Sequence, residues 1–230
     1  MYDSYVHTST ATILAIDSSI ITLDSTIFYP QGGGQPCDIG FIDDLKVISV
    51  TFDKDLKTVL HSVEGGIENF SVNQKVNLKV NWEMRYLHMK LHSAGHLMDA
   101  AVEKLRLPLI ATKGFHFPSS PKVEYSITGE LADKAVIQSQ IQDLIDSFIS
   151  QDLKFHSELY AFDQIPENLK SLVSSKLSNG QDIRVVTIDG FSSGLCGGTH
   201  VKSTAELESL TIRKIEISKS TLKLCYKLQS

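Results

Sequence analysis

Cysteine is scarce in this chain: three in 230 residues, Cys37, Cys196 and Cys225. An odd, sparse set is no disulfide framework, and a reducing, cytoplasmic setting is expected. No apolar run approaches the ~20 residues of a membrane helix. The opening MYDSYVHTST lacks a basic start followed by an apolar stretch, so neither a membrane span nor a secretory signal is expected. Positive charge is also in short supply. Lys and Arg number 22 against 27 Asp and Glu, for a net charge of -5. That excludes nucleic-acid binding through a global positive field and leaves room only for a local basic face. Disorder-type composition is excluded too, because apolar residues make up 42% of the chain and charged ones only 21%.

What is present divides near Trp82. Before it, β-branched runs at Thr12–Ile16, Ile20–Leu23, Leu45–Phe52, Thr58–Val63 and Lys75–Val80 alternate with turn residues such as Asp17-Ser18-Ser19 and Glu64-Gly65-Gly66. Short strands at close spacing predict a small β-barrel or sandwich over residues 1–82. From Glu83 to Leu105 the period becomes helical, with Leu87, Leu91, Leu97, Ala101 and Leu105 recurring on one side. A second amphipathic helix is expected over Leu131–Ile149 and a shorter one over Pro166–Leu177, closed by Asn179-Gly180. Strands are expected at Ile110–Phe117, Val123–Ile127, Leu153–Tyr160, Ile183–Ile188, Ser209–Ile217 and Leu222–Leu228. Residues 83–230 therefore read as helices packed on an antiparallel sheet, and the whole chain as α+β.

The strongest chemical signal comes in two pieces. In His92-Ser93-Ala94-Gly95-His96 the imidazoles are four residues apart, on one helix face about a turn apart. In Cys196-Gly197-Gly198-Thr199-His200 two glycines between a thiol and an imidazole let the chain wrap tightly around an ion. Imidazole and thiolate donors favour zinc over magnesium or calcium. Ser93 stands where the metalloprotease HExxH needs its Glu, which disfavours peptidase chemistry of that kind. Four candidate ligands suit a closed structural site. Their origin on a helix and a distant loop suits a cleft between separate elements. Both readings stand at this point.

These motifs resemble the editing domain of alanyl-tRNA synthetase and its free-standing AlaX relatives. The likeness extends through Arg85–His92, Arg184-Val-Val and Val201. It also covers Phe28-Tyr29-Pro30-Gln31-Gly32-Gly33-Gly34-Gln35-Pro36, which is similar to the glycine-rich motif of the longer AlaX forms and of the synthetase. Departures from the family pattern fall in the C-terminal strands, at Glu206-Leu207-Glu208 and Leu222–Tyr226. The resemblance implies a small β-barrel joined to an α+β editing domain. It implies zinc on His92, His96, Cys196 and His200, and ATP-independent hydrolysis of the ester in mischarged Ser-tRNA(Ala), with Gly-tRNA(Ala) as a further substrate. The partner would be the acceptor end of alanine tRNA, with no membrane involved and a monomer as the expected state.

Serine and alanine differ by one hydroxyl, and a site that hydrogen-bonds that group rejects the analogue lacking it far better than an apolar pocket does. Thr112 is the candidate contact, followed by Gly114 and His116 on the same strand. Gln31, Gly32, Gly33, Gly34 and Gln35 are expected to approach the amino acid through their backbone. They lack the Lys-Ser/Thr of a phosphate-binding P-loop. His88 is expected beside the ligands or facing the tRNA end. Glu124 is a candidate base or partner of a ligand histidine. His7, His61 and His156 are expected at the surface. Three other readings use the same residues: editing of another charge such as Ser-tRNA(Thr), a non-catalytic tRNA-binding module with structural zinc, and a general zinc esterase.

Overall fold

The structure is a computed structural model that describes residues 3–172 and 182–229. The chain divides into two compact units, Met1–Met89 and Lys90–Ser230.

In the first unit six antiparallel strands close a barrel: β1 (Thr8–Asp17), β2 (Ile20–Leu23), β3 (Gly40–Ile42), β4 (Leu45–Asp53), β5 (Thr58–Glu64) and β6 (Lys75–Val80). Their order around the barrel is β1-β2-β5-β4-β3-β6. The ring shuts where Thr8–Thr12 pair with Lys79–Lys75. Period-two alternation decides which side chains enter. In β6, Val76, Leu78 and Val80 point in while Lys75, Asn77 and Lys79 point out. Ile13, Ile21, Ile42, Val47, Val50 and Phe28 complete the interior. The same parity places His61 inside, because it shares a face of β5 with Val63. The surface position expected for His61 is thus overturned. It is fully buried, with Nε2 2.8 Å from Thr26 Oγ1 and Nδ1 3.0 Å from the Ile21 carbonyl. Burial holds its pKa below the ordinary histidine value. His7 and His156 are exposed, as expected.

The long helix α1 (Trp82–Lys104) starts where Asn81 Oδ1 accepts the Met84 N–H at 3.1 Å, satisfying one of the free N–H groups of the first turn. Its end is marked by Arg106 in the left-handed region (φ 50°), and Pro108 follows. The rest of the chain adds β7 (Leu109–Phe115), β8 (Lys122–Ile127), α2 (Lys134–Ser150), β9 (Phe155–Ala161), β10 (Asp182–Ile188), β11 (Gly194–Leu195), β12 (Leu210–Ser218) and β13 (Thr221–Leu228). A four-stranded antiparallel sheet runs β12-β13-β8-β7, and a three-stranded one runs β11-β10-β9. Asp133 caps α2 by accepting the Ala135 N–H at 2.7 Å. The helix buries Ile137, Ile141, Ile145 and Phe148 but leaves Val136 exposed.

Helix α2 also finishes the edge of the four-stranded sheet. The Gln142 amide accepts from Ile212 N–H at 2.9 Å and donates to the Leu210 carbonyl at 2.8 Å, standing in for a neighbouring strand. A short 3-10 helix at Glu167–Leu172 occupies the start of the expected Pro166–Leu177 helix. Residues 173–177 and the proposed Asn179-Gly180 stop lie outside the described residues. The architecture is α+β: an N-terminal barrel, two α-helices among the described residues, and antiparallel sheets.

Candidate metal centre

Helix geometry alone brings His92 and His96 together, with ring centroids 5.3 Å apart. Cys196 and His200 come from the loop that leaves β11. That loop is held from below by Arg184 on β10, whose Nη1 donates to the Cys196 carbonyl at 3.0 Å and the Gly198 carbonyl at 2.7 Å. The Ser192 hydroxyl donates to Glu103 Oε1 at 2.8 Å, tying the approach to the loop onto α1. The donor atoms of His92, His96, Cys196 and His200 all lie within 4.8 Å of one another. Cys196 Sγ is 3.4 Å from His92 Nε2 and 3.2 Å from His200 Nε2. A tetrahedral zinc site with ordinary bond lengths requires an S···N edge of about 3.6 Å, so the spacing fits.

Electrostatics favour the same ligand states. Burial pushes His92 and His200 well below the ordinary imidazole range, and brings His96 down to about 4 with Arg184 adding to it. All three rings are therefore neutral at pH 7, as ligation requires. Burial pushes the Cys196 thiol up, against the pull of the Gly198 N–H and Arg184. A cation among these donors would offset that cost of thiolate formation. Gly197 serves no special backbone need: a Cβ there would meet nothing within 4 Å, and its φ is not positive.

The other expected site residues take distinct places. His116 is buried and stacks on His92 at 4.5 Å between centroids. Tyr226 spends its one proton on the Leu91 carbonyl at 2.9 Å, so it accepts from His116 Nδ1–H at 2.6 Å. Burial, with His96 adding to it, brings the pKa of His116 down to about 3. Two glycines flank the ring: a Cβ on Gly95 would come within 2.3 Å of its Cε1, and one on Gly114 within 2.3 Å of its Nε2. Thr112 is the extra residue at the irregularity between Ala111 and Lys113. It is exposed, and its hydroxyl donates to the Glu124 carbonyl at 3.0 Å. The Glu124 carboxylate lies 3.4 Å from Lys223 Nζ.

In the first unit, Gly32 and Gln35 exchange backbone hydrogen bonds at 3.2 and 2.8 Å, and Gly33 and Gly34 take positive φ (55° and 77°) to make the turn. Gln31 N–H donates to the Val50 carbonyl at 3.0 Å, and Tyr29 OH to the Gly32 carbonyl at 3.0 Å. Asp38 accepts from Tyr29 N–H and is paired with Arg85, both charged side chains being fully buried. Arg85 also donates to the Ser4 carbonyl at 2.9 Å and the Ile27 carbonyl at 2.7 Å. His88, nearby in sequence, is buried with no partner for its Nδ1 among the described residues. Sequence reading missed the Arg85–Asp38 pair, the Arg184 clamp and the contacts of Ser93. Arg85 and Arg184 were marked in the sequence by their place in the family likeness, and Asp38 and Ser93 by their closeness to the motifs.

A β-barrel unit is followed by an α+β unit in which three imidazoles and a thiol gather where they could hold a metal ion. Residues 4–84 match the family model of class II (A) tRNA synthetases, and residues 183–223 match that of the threonyl and alanyl tRNA synthetase second additional domain. The chain is 29% identical to the alanyl-tRNA editing protein AlaX-M of Methanosarcina barkeri, over 93% of this chain and 90% of that protein. It is 32% identical to the alanyl-tRNA editing protein AlaX-L of Pyrococcus horikoshii, covering 81% of this chain and 45% of that one. It is 31% identical to the alanine–tRNA ligase of Bdellovibrio bacteriovorus, of which it spans 22%. Taken together, these matches support an alanyl-tRNA editing protein of the AlaX family.

Proposed function

We propose that the protein hydrolyses the ester of mischarged alanine tRNA, Ser-tRNA(Ala) first and Gly-tRNA(Ala) as a further substrate, with zinc held by His92, His96, Cys196 and His200. The observation that carries this reading is the meeting of four suitable donor atoms from segments 104 residues apart. Zinc in such a site supplies charge to polarise an ester carbonyl or to acidify a water. The chain's own groups do the rest. The imidazoles, neutral through burial, present lone pairs; Arg184 and Ser93 hold the loop that carries Cys196 and His200, and Tyr226 holds His116, which stacks on His92. His96 and Cys196 are less buried than His92 and His200, and the acceptor end is proposed to approach from their side. Thr112 is the proposed contact for the serine hydroxyl: its proton is already given to Glu124, so it would meet the substrate as an acceptor. Gln31–Gln35 is the proposed backbone contact for the amino acid, on a turn closed by the Gly32–Gln35 hydrogen bonds. A tRNA substrate places the protein in the compartment of translation. Among the described residues no helix is long and apolar enough to cross a membrane.

Four protein donors also suit a closed, structural ion, and with it a tRNA-binding module without chemistry. One experiment separates the two. The zinc-loaded protein is given seryl-, glycyl- and alanyl-tRNA(Ala) with and without a chelator, and its fold is followed by circular dichroism. Editing requires that seryl-tRNA be hydrolysed and alanyl-tRNA spared. It also requires that chelator, His96→Ala and Cys196→Ala each abolish hydrolysis in a protein that stays folded. Full deacylation by both variants would refute the zinc reading. No deacylation of any substrate by the loaded protein would favour the binding module.

A further inference from the structure

Ser93 occupies the position after His92 and is fully buried. Its Oγ accepts the backbone N–H of Val201 at 3.1 Å and lies 3.3 Å from His200 Nδ1. These contacts join the first motif to the second across more than 100 residues of chain, because Ser93 sits on α1 and both partners sit on the CGGTH loop.

Hydrogen-bond accounting decides what Ser93 does. The Val201 N–H is a donor only, so one lone pair of Ser93 Oγ is committed to it. The His200 ring offers either a proton or a lone pair at Nδ1, depending on its tautomer. Its other nitrogen, Nε2, is the one turned toward Cys196 Sγ at 3.2 Å. To serve as a ligand, Nε2 must be free of its proton, which then resides on Nδ1. Ser93 Oγ, with a second lone pair, is the acceptor waiting there.

Resting on the metal reading above, we infer that Ser93 is a positioning residue: it holds His200 as the Nδ1–H tautomer with Nε2 facing the other three donors, and it anchors the loop through Val201. A glutamate here, as in HExxH, would bring a charge and a longer side chain into this buried contact. A serine brings an acceptor of the right size.

The test uses the full chain with Zn2+ as probe. Zinc affinity is measured by competition against a chromophoric chelator in wild type and Ser93→Ala, alongside melts of metal-free and zinc-loaded protein. A positioning role predicts a 10- to 100-fold loss of zinc affinity, the usual cost of removing a partner of a ligand histidine, and a smaller zinc-induced rise in Tm. A purely structural Ser93 would lower both melts equally and leave affinity unchanged, which overturns the inference. Imidazole 15N shifts of metal-free wild-type protein at neutral pH give a second measurement that needs no variant. His200 protonated at Nδ1 is expected, and protonation at Nε2 overturns it. Wild-type protein that takes up no Zn2+ would instead bring down the metal reading beneath, and this inference with it.

Discussion

Replacing Gly95 with alanine is expected to destabilise the protein, against the usual rule for helices. In a helix interior alanine is favoured over glycine by about 1 kcal/mol. Here the added Cβ would meet His116 Cε1 at 2.3 Å and Nδ1 at 2.9 Å. The ring cannot retreat, since Tyr226 holds Nδ1, His92 stacks on it, and Gly114 lies against its Nε2. Overpacking of a rigid site costs about 1–3 kcal/mol, and so short a contact belongs at the upper end. Subtracting the helical gain leaves a net loss of about 2 kcal/mol. Urea unfolding of the chelator-treated protein measures it. The same substitution made in a His116→Ala background should become neutral or stabilising, because the obstacle is then gone. Gly95→Ala with wild-type or greater stability, or the same loss in both backgrounds, would refute the steric argument.

Asp38→Ala leaves the Arg85 guanidinium buried without its carboxylate and should cost about 3–5 kcal/mol in urea unfolding, with the Gly32–Gln35 turn loosened as read by hydrogen exchange. Burial raises the Asp99 carboxyl to about 6, despite the Tyr125 hydroxyl that donates to it at 2.7 Å. A raised folded pKa means that the folded chain holds this proton more tightly. Its stabilising contribution is full below the ordinary value of 3.8 and is lost as pH rises through about 6. Asp99→Asn keeps an acceptor for Tyr125 and should remove that part of the pH dependence. Unfolding curves with the same slope in variant and wild type over this window would count against it.

Much of the fold was legible because burial imposes periodicity on the sequence. The bounds of β2 and β6 emerged from β-branched runs set off by turn residues, and α1 from apolar spacing. The three residues of β3 and the two of β11 are too few to display a period, so they passed unseen. His61 was misplaced because residue type outweighed parity: histidine reads as polar, while its face of β5 belongs to the interior. At the centre, ligand chemistry was legible because zinc requires particular donors at particular spacings. The holding groups were not. Ser93, Arg184 and Tyr226 act through contacts with residues distant in sequence, or through backbone carbonyls that leave no mark in a string of letters. The glycines at 95 and 114 are required by a ring that reaches them only in the folded chain.

The barrel's seam joins the first strand to the sixth, Thr8–Thr12 to Lys79–Lys75. During synthesis β1 therefore emerges with one of its two partners missing until the chain has grown past Lys79. Such late, non-local pairing slows folding and leaves an open strand edge on the nascent polypeptide. Once the seam shuts, the ring has no free edge to offer a neighbour. Any interruption of translation before that point would release a product with a sticky margin, and quality control would have to recognise it.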